Sequence, residues 1–76
     1  MTYEQEFQLE QYLSKGQKVL WIGGDNPNFI THIASRKDED DMKVGYVSGG
    51  KPGDYIVLWN VDPSEIVVGN RLSEIN

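Results

Sequence analysis

The chain has no cysteine, one histidine and only seven lysines and arginines in 76 residues. Each shortage removes a class of chemistry. Without thiols no disulfide or thiolate-held metal staples the fold, and a reducing compartment, the cytoplasm, is the expected setting. His32 has no second histidine or cysteine with which to share a zinc ion, and between Thr31 and Ile33 it alternates as an ordinary strand residue. Long apolar runs are also missing. The longest, Val19–Ile22 and Tyr55–Trp59, fall far short of the roughly 20 residues that span a bilayer. The opening MTYEQEFQ is acidic and has no signal-peptide pattern, so neither membrane insertion nor export by that route is expected.

Cations are outnumbered by twelve acidic side chains, for a net charge of −5, which favours solubility and repels phosphate backbones. Nucleic acid is therefore a disfavoured partner. The apolar share of 38% and aromatic share of 11% suffice for one compact domain over residues 1–76. A domain of this length buries only about 60% of the surface its unfolded chain exposes, so its stability is modest.

Residues 1–16 carry the signals of one helix. Thr2 and Gln5 have capping-box spacing, Glu4 and Glu6 fall in the first turn, and Lys15 with Gly16 marks the end. Helical spacing predicts a broad apolar face of Tyr3, Phe7, Leu9, Tyr12 and Leu13, with Glu6 and Glu10 at its polar margins. From Lys18 the period changes, and turn-rich stretches separate five expected strands: Lys18–Gly23, Asn28–Arg36, Met42–Ser48, Asp54–Val61 and Glu65–Gly69. The predicted fold is mainly β, with residues 18–69 forming a small five-stranded barrel or curled antiparallel sheet behind the helix. Residues 70–76 form a C-terminal tail.

The strand ending Leu-Trp-Asn-Val, the turn Asp62-Pro63-Ser64-Glu65 and the short Ile-Val-Val resemble the last corner of SH3-like barrels, where one 3₁₀ turn precedes the closing strand. Pro63 has its φ preset for such a turn, and the side chains of Asp62 and Ser64 are expected to accept from nearby backbone N–H groups. The resemblance covers Lys18 to Gly69 and implies a fold without a function, because such barrels serve many tasks. In the expected fourth strand, Ile56 and Leu58 point one way while Tyr55, Val57, Trp59 and Val61 point the other, so both faces need cover. The helix is the simplest cover for the second face, and a partner chain is the alternative.

No constellation of catalytic or metal-binding groups emerges, so no enzyme, metal or cofactor is expected. Asp38-Glu39-Asp40-Asp41 invites a Ca²⁺ reading, but the glycine and glutamate that such a loop needs at its sixth and twelfth positions are Lys43 and Gly49. The run reads as a solvated hairpin tip, with Asp40 and Asp41 available as an acidic contact for a basic partner. Ser48–Gly53 mimics a phosphate loop, yet Pro52 follows Lys51 where Ser or Thr and a helix would be required. It reads as a mobile hairpin turn. Trp21, Phe29, Tyr46, Tyr55 and Trp59 are shared between core packing and an exposed binding patch, with Tyr46 and Tyr55 the expected exposed pair.

These features favour a protein-binding module, acting alone or as a homo-oligomer, that modulates or inhibits another protein. Its candidate contact residues are Tyr46, Tyr55, Trp59, Trp21, Lys51, Asp40 and Asp41. In size and charge the chain resembles the small accessory proteins of bacteriophages and mobile elements, which implies action on a host protein. Three alternatives stand beside this reading. One is a nucleic-acid-binding barrel using Lys18, Arg36, Lys37, Lys43 and Lys51 with neighbouring aromatics. The others are a nucleotide-type small-ligand binder near Gly49–Gly53 and an acidic mimic of DNA.

Overall fold

The computed structural model describes residues 1–68. The expected strand end at Gly69 and the tail, residues 70–76, lie outside the described residues. Helix α1 spans Tyr3–Ser14 and starts as its sequence dictates: the Gln5 N–H donates to Thr2 Oγ1 at 3.2 Å, and the Thr2 N–H donates to Gln5 Oε1 at 2.9 Å. It stops at Gly16, whose φ of 79° is left-handed, with Gly16 N–H donating to Leu13 O and Gln17 N–H to Tyr12 O. That pair of bonds satisfies carbonyls the helix would otherwise leave open.

Five strands follow: β1 (Val19–Trp21), β2 (Asn28–Arg36), β3 (Met42–Val47), β4 (Tyr55–Val57) and β5 (Ile66–Val68). All pairings are antiparallel, in the order β4-β3-β2-β1-β5. The architecture is thus one helix and a five-stranded sheet, compatible with a small barrel-like fold. It is not closed into a barrel, because among the described residues β4 and β5 remain its two edges. Both edges are three residues long, which leaves little unpaired backbone to template aggregation.

The core joins Leu9 of α1, Val19 of β1, Ile30 of β2 and Leu58, with Tyr12, Leu13, Trp21, Ile33, Val47, Ile56, Ile66 and Val68 packed around them. A bulge in β2 between Ile30 and His32 sets the register on β3. Below it Ile30 pairs with Val47, above it His32 pairs with Tyr46 and Ile33 with Gly45. One extra residue thereby lets Ile30 and Ile33, three apart, both reach the same core.

The fourth strand departs from expectation. It ends at Val57 and not at Val61, and Leu58–Asn60 coil into a 3₁₀ turn. That turn carries Leu58 and Val61 into the interior and throws Trp59 outward, so the predicted apolar face of Tyr55, Val57, Trp59 and Val61 does not exist as one surface. A second 3₁₀ turn, Pro63–Glu65, sits where the proline places it. The Asp62 carboxylate accepts from the Ser64 N–H at 3.0 Å, and Glu65 accepts from the Asp62 N–H at 3.0 Å. Ser64, expected as an acceptor, instead donates its hydroxyl to Asp62 at 2.9 Å. These bonds hold the Asp62 carboxyl below the ordinary carboxylate range, the Ser64 backbone donor contributing most.

The crossing segment, residues 58–65, is tied to the start of the helix by the Met1 ammonium group. It donates to the carbonyls of Leu58, Trp59 and Val61 at 3.0, 2.9 and 3.0 Å. Three donors thus meet three acceptors, and the Leu58 carbonyl accepts from the Val61 N–H as well.

Two stability predictions arise from this packing. A Cβ at Gly45 would lie 3.2 Å from Ile30 and 3.3 Å from Leu58, both buried, and would have to push them aside, so Gly45→Ala is expected to destabilise by about 1–3 kcal/mol in urea unfolding. Acetylating the α-amino group of the 76-residue chain leaves one donor of three and lowers stability by about 1–3 kcal/mol, read as a fall in Tm.

Candidate functional site

Helical spacing put Glu6 at a polar margin, and the structure corrects this. Glu6 is 3% exposed, whereas Tyr3 and Phe7 of the predicted apolar face are 79% and 60% exposed. Helix α1 is rotated so that Glu6, Leu9 and Leu13, spaced i, i+3 and i+7, run along its inner side. Glu6 Oε2 is buried and has no hydrogen-bond partner among the described residues. Burial holds its carboxyl above the ordinary carboxylate range; Lys43 and the Met1 ammonium pull it back, while Glu10 pushes in the same direction as burial.

Glu6 lines a half-open recess of about 280 Å³ between α1, the start of β3 and the crossing segment. Tyr3 and Trp59 wall one side, their ring centroids 6.1 Å apart and the planes tilted by 47°. Asp40 and Asp41 line the recess as well. They follow the short 3₁₀ turn Lys37–Glu39, and both adopt left-handed backbone, with φ of 57° and 60°. Aspartate tolerates that region better than most side chains. Lys43 is the cation of the recess, and its ammonium is paired with Glu10. Among the described residues no three acidic or imidazole groups converge closely enough to hold a metal ion.

Tyr46 and Tyr55, the pair expected to be exposed, are half-buried and belong to a different cluster. The register sets His32, Tyr46 and Tyr55 side by side on β2, β3 and β4. His32 stacks on Tyr46 with centroids 4.4 Å apart, and Tyr55 meets Tyr46 edge-on at 6.0 Å. The Arg36 guanidinium lies 4.3 Å from the Tyr55 ring centroid and 5.9 Å from that of Tyr46. It donates to the Tyr46 hydroxyl and, through two parallel bonds, to Asp38, each at 2.8 Å. The Tyr55 hydroxyl donates to Glu39 at 2.9 Å. Accordingly Asp38 is held low, chiefly by Arg36, and Tyr55 is raised, chiefly by Glu39. The Arg36 guanidinium and both tyrosine hydroxyls thus have internal partners.

Trp21, half-buried, lines a separate recess with Tyr55, Asp54 and the glycines of the 49–53 loop, and its indole N–H has no partner among the described residues. Lys51 lines neither recess; its backbone N–H donates to Asp54 Oδ2 at 2.8 Å and so closes the loop on itself. Of the seven candidates, the fold therefore gathers Trp59, Asp40 and Asp41 into one site. Tyr46 and Tyr55 pair elsewhere, Trp21 shares its recess with Tyr55, and Lys51 stands apart. Sequence reasoning missed Tyr3 and Glu6.

Compared with protein-family models, curated protein sequences and solved structures, the chain gives no match. Among the described residues no helix is long and apolar enough to cross a membrane.

The Glu6 environment fixes a pH-dependent prediction. A carboxyl whose folded-state pKa is raised favours folding while both states are protonated, and that advantage disappears as pH rises through the folded-state value. At pH 7 the buried charge opposes folding, so Glu6→Gln raises stability by on the order of 1 kcal/mol. Thermal melts across pH then show the gain shrinking to nothing below about pH 4, where wild-type Glu6 is itself neutral.

Proposed function

We propose that the chain is a protein-binding module that engages a basic segment of another protein through the face formed by Tyr3, Phe7 and Trp59, and so modulates that protein. The observation that carries this reading is the exposure of the three aromatics, 79%, 60% and 55%, on adjoining parts of one surface. Tyr3 and Phe7 are one helical turn apart, and Trp59 adjoins Tyr3 on the wall of the acidic recess. Large aromatics left in water beside carboxylates are the composition of a contact surface, where they bury wide area with little loss of side-chain freedom.

Charge selects the partner class. Of the cations that a nucleic-acid reading would use, Arg36 is paired with Asp38, Lys43 with Glu10, and Lys18 lies 5.4 Å over the Phe29 ring. The recess itself is lined by Glu6, Asp40 and Asp41, which repel phosphate and attract lysine and arginine.

Selection of a random peptide display library on the protein, with counter-selection on Trp59→Ala, tests the reading. The expected winners carry lysine or arginine beside apolar residues and lose about tenfold or more in affinity for Trp59→Ala. Peptides indifferent to Trp59→Ala, or tight low-salt binding of DNA or RNA, would overturn it.

A further inference from the structure

We propose that the recess beside Tyr3 and Trp59 is an arginine pocket: a guanidinium group of the partner enters along the wall that the two rings form and is held by Glu6 on the floor and Asp40 and Asp41 at the rim. The inference deepens the protein-binding reading and rests on it. Its first support is Glu6, a carboxylate 3% exposed whose Oε2 faces no donor among the described residues. Both neighbouring cations are committed elsewhere. The Met1 ammonium spends its three protons on Leu58, Trp59 and Val61, and the Lys43 ammonium is drawn to Glu10. A buried charge left in this state is stabilised by whatever cation arrives.

The shape favours guanidinium over a metal ion or an ammonium group. No three carboxylates converge on a point among the described residues, and the recess measures about 280 Å³, so its donor-seeking oxygens are spread apart. A planar cation with five N–H donors reaches separated acceptors and stacks on an indole, whereas an ammonium is compact and strongly hydrated. The molecule already contains one assembly of this chemistry. Arg36 lies against Tyr55 and Tyr46 and grips Asp38 with two parallel bonds. The recess presents the same kinds of group, two aromatic rings and carboxylates, with no arginine among the described residues to fill it.

The probe is N-acetyl-arginine amide, titrated into the full chain while the Trp59 and Trp21 indole resonances are followed by NMR. Saturable binding with Kd of about 1 mM is expected, with shifts at Trp59 and none at Trp21. The neutral citrulline analogue should not bind, and the lysine analogue should bind several-fold more weakly. Glu6→Gln should lose about tenfold while melting no lower than wild type, and Asp40→Asn with Asp41→Asn, which keeps side chains tolerant of left-handed backbone, should also weaken binding. Unchanged affinity in Glu6→Gln, or equal binding of the citrulline or lysine analogue, would overturn the pocket. Arg71 lies outside the described residues. Arg71→Ala is expected to leave probe affinity unchanged, and tighter binding in that variant would make the occupant internal and overturn the assignment to a partner. If the arginine probe fails while selected peptides still depend on Trp59, only the pocket is lost. If the probe binds while no Trp59-dependent peptide emerges, the protein-binding reading is the one that falls.

Discussion

The arrangement of this small molecule depends on the ammonium group of Met1 and the three carbonyls it holds. Helix α1 has one buried apolar residue, Leu9, and partly buried contacts through Tyr12 and Leu13, which fix its second half against β1 and β2. Its first half has no comparable anchor. The bonds to Leu58, Trp59 and Val61 supply one, and they act on the segment that carries the chain from the β4 edge to the β5 edge. Bonds from a charged donor contribute roughly 1.5–3 kcal/mol each where water is excluded and less at the surface. The same clamp sets Tyr3 against Trp59 and lowers Glu6 between them, so the geometry of the recess is inherited from it.

Around that clamp the molecule treats charge in two ways. On the β2–β4 side Arg36, Asp38, Glu39, Tyr46 and Tyr55 close on one another, and the cluster presents little unsatisfied polarity. On the helix side Glu6 is deprived of water and given no donor among the described residues, which works against folding. Native domains retain few such groups, and they concentrate where a structure is used. The contrast lies within 76 residues and concerns the same side-chain types, so composition alone does not account for it.

Much of the fold is legible in short-range patterns. The Thr2–Gln5 box, Gly16, the Asp62–Pro63 corner and the existence and order of five strands all follow from local chemistry. The rotation of α1 does not, because Tyr3 and Phe7 belong to the same apolar face as Tyr12 and Leu13, and tertiary contacts, the packing of Leu9, Tyr12 and Leu13 together with the Met1 anchor, accompany the set that turns inward. The stripe of Glu6, Leu9 and Leu13 was nonetheless visible as a helical row, and a charge in such a row is a signal available from sequence. The break after Val57 was hidden for a related reason. Ile-Val-Leu-Trp reads as strand on propensity, and the 3₁₀ turn wins because it buries Leu58 and Val61 together. Tyr46 and Tyr55 read from sequence as an exposed pair, but their capture by Arg36 spans strands and has no local signature.

The bulge in β2 has a consequence for how this chain can vary. Pleated strands send alternate side chains to opposite faces, and the extra residue between the Ile30–Val47 and His32–Tyr46 pairs shifts that alternation by half a cycle. On β3 the partners Val47, Tyr46 and Gly45 run without a break, and Thr31 is the residue left over. Pairing at this point is therefore constrained more tightly than identity: many side chains can stand at Thr31, but if that residue were drawn into the ladder opposite Tyr46, every later residue of β2 would move one place along β3. Ile33 and His32 would exchange sides, emptying the core above Ile30 and dismantling the aromatic row that Arg36 covers.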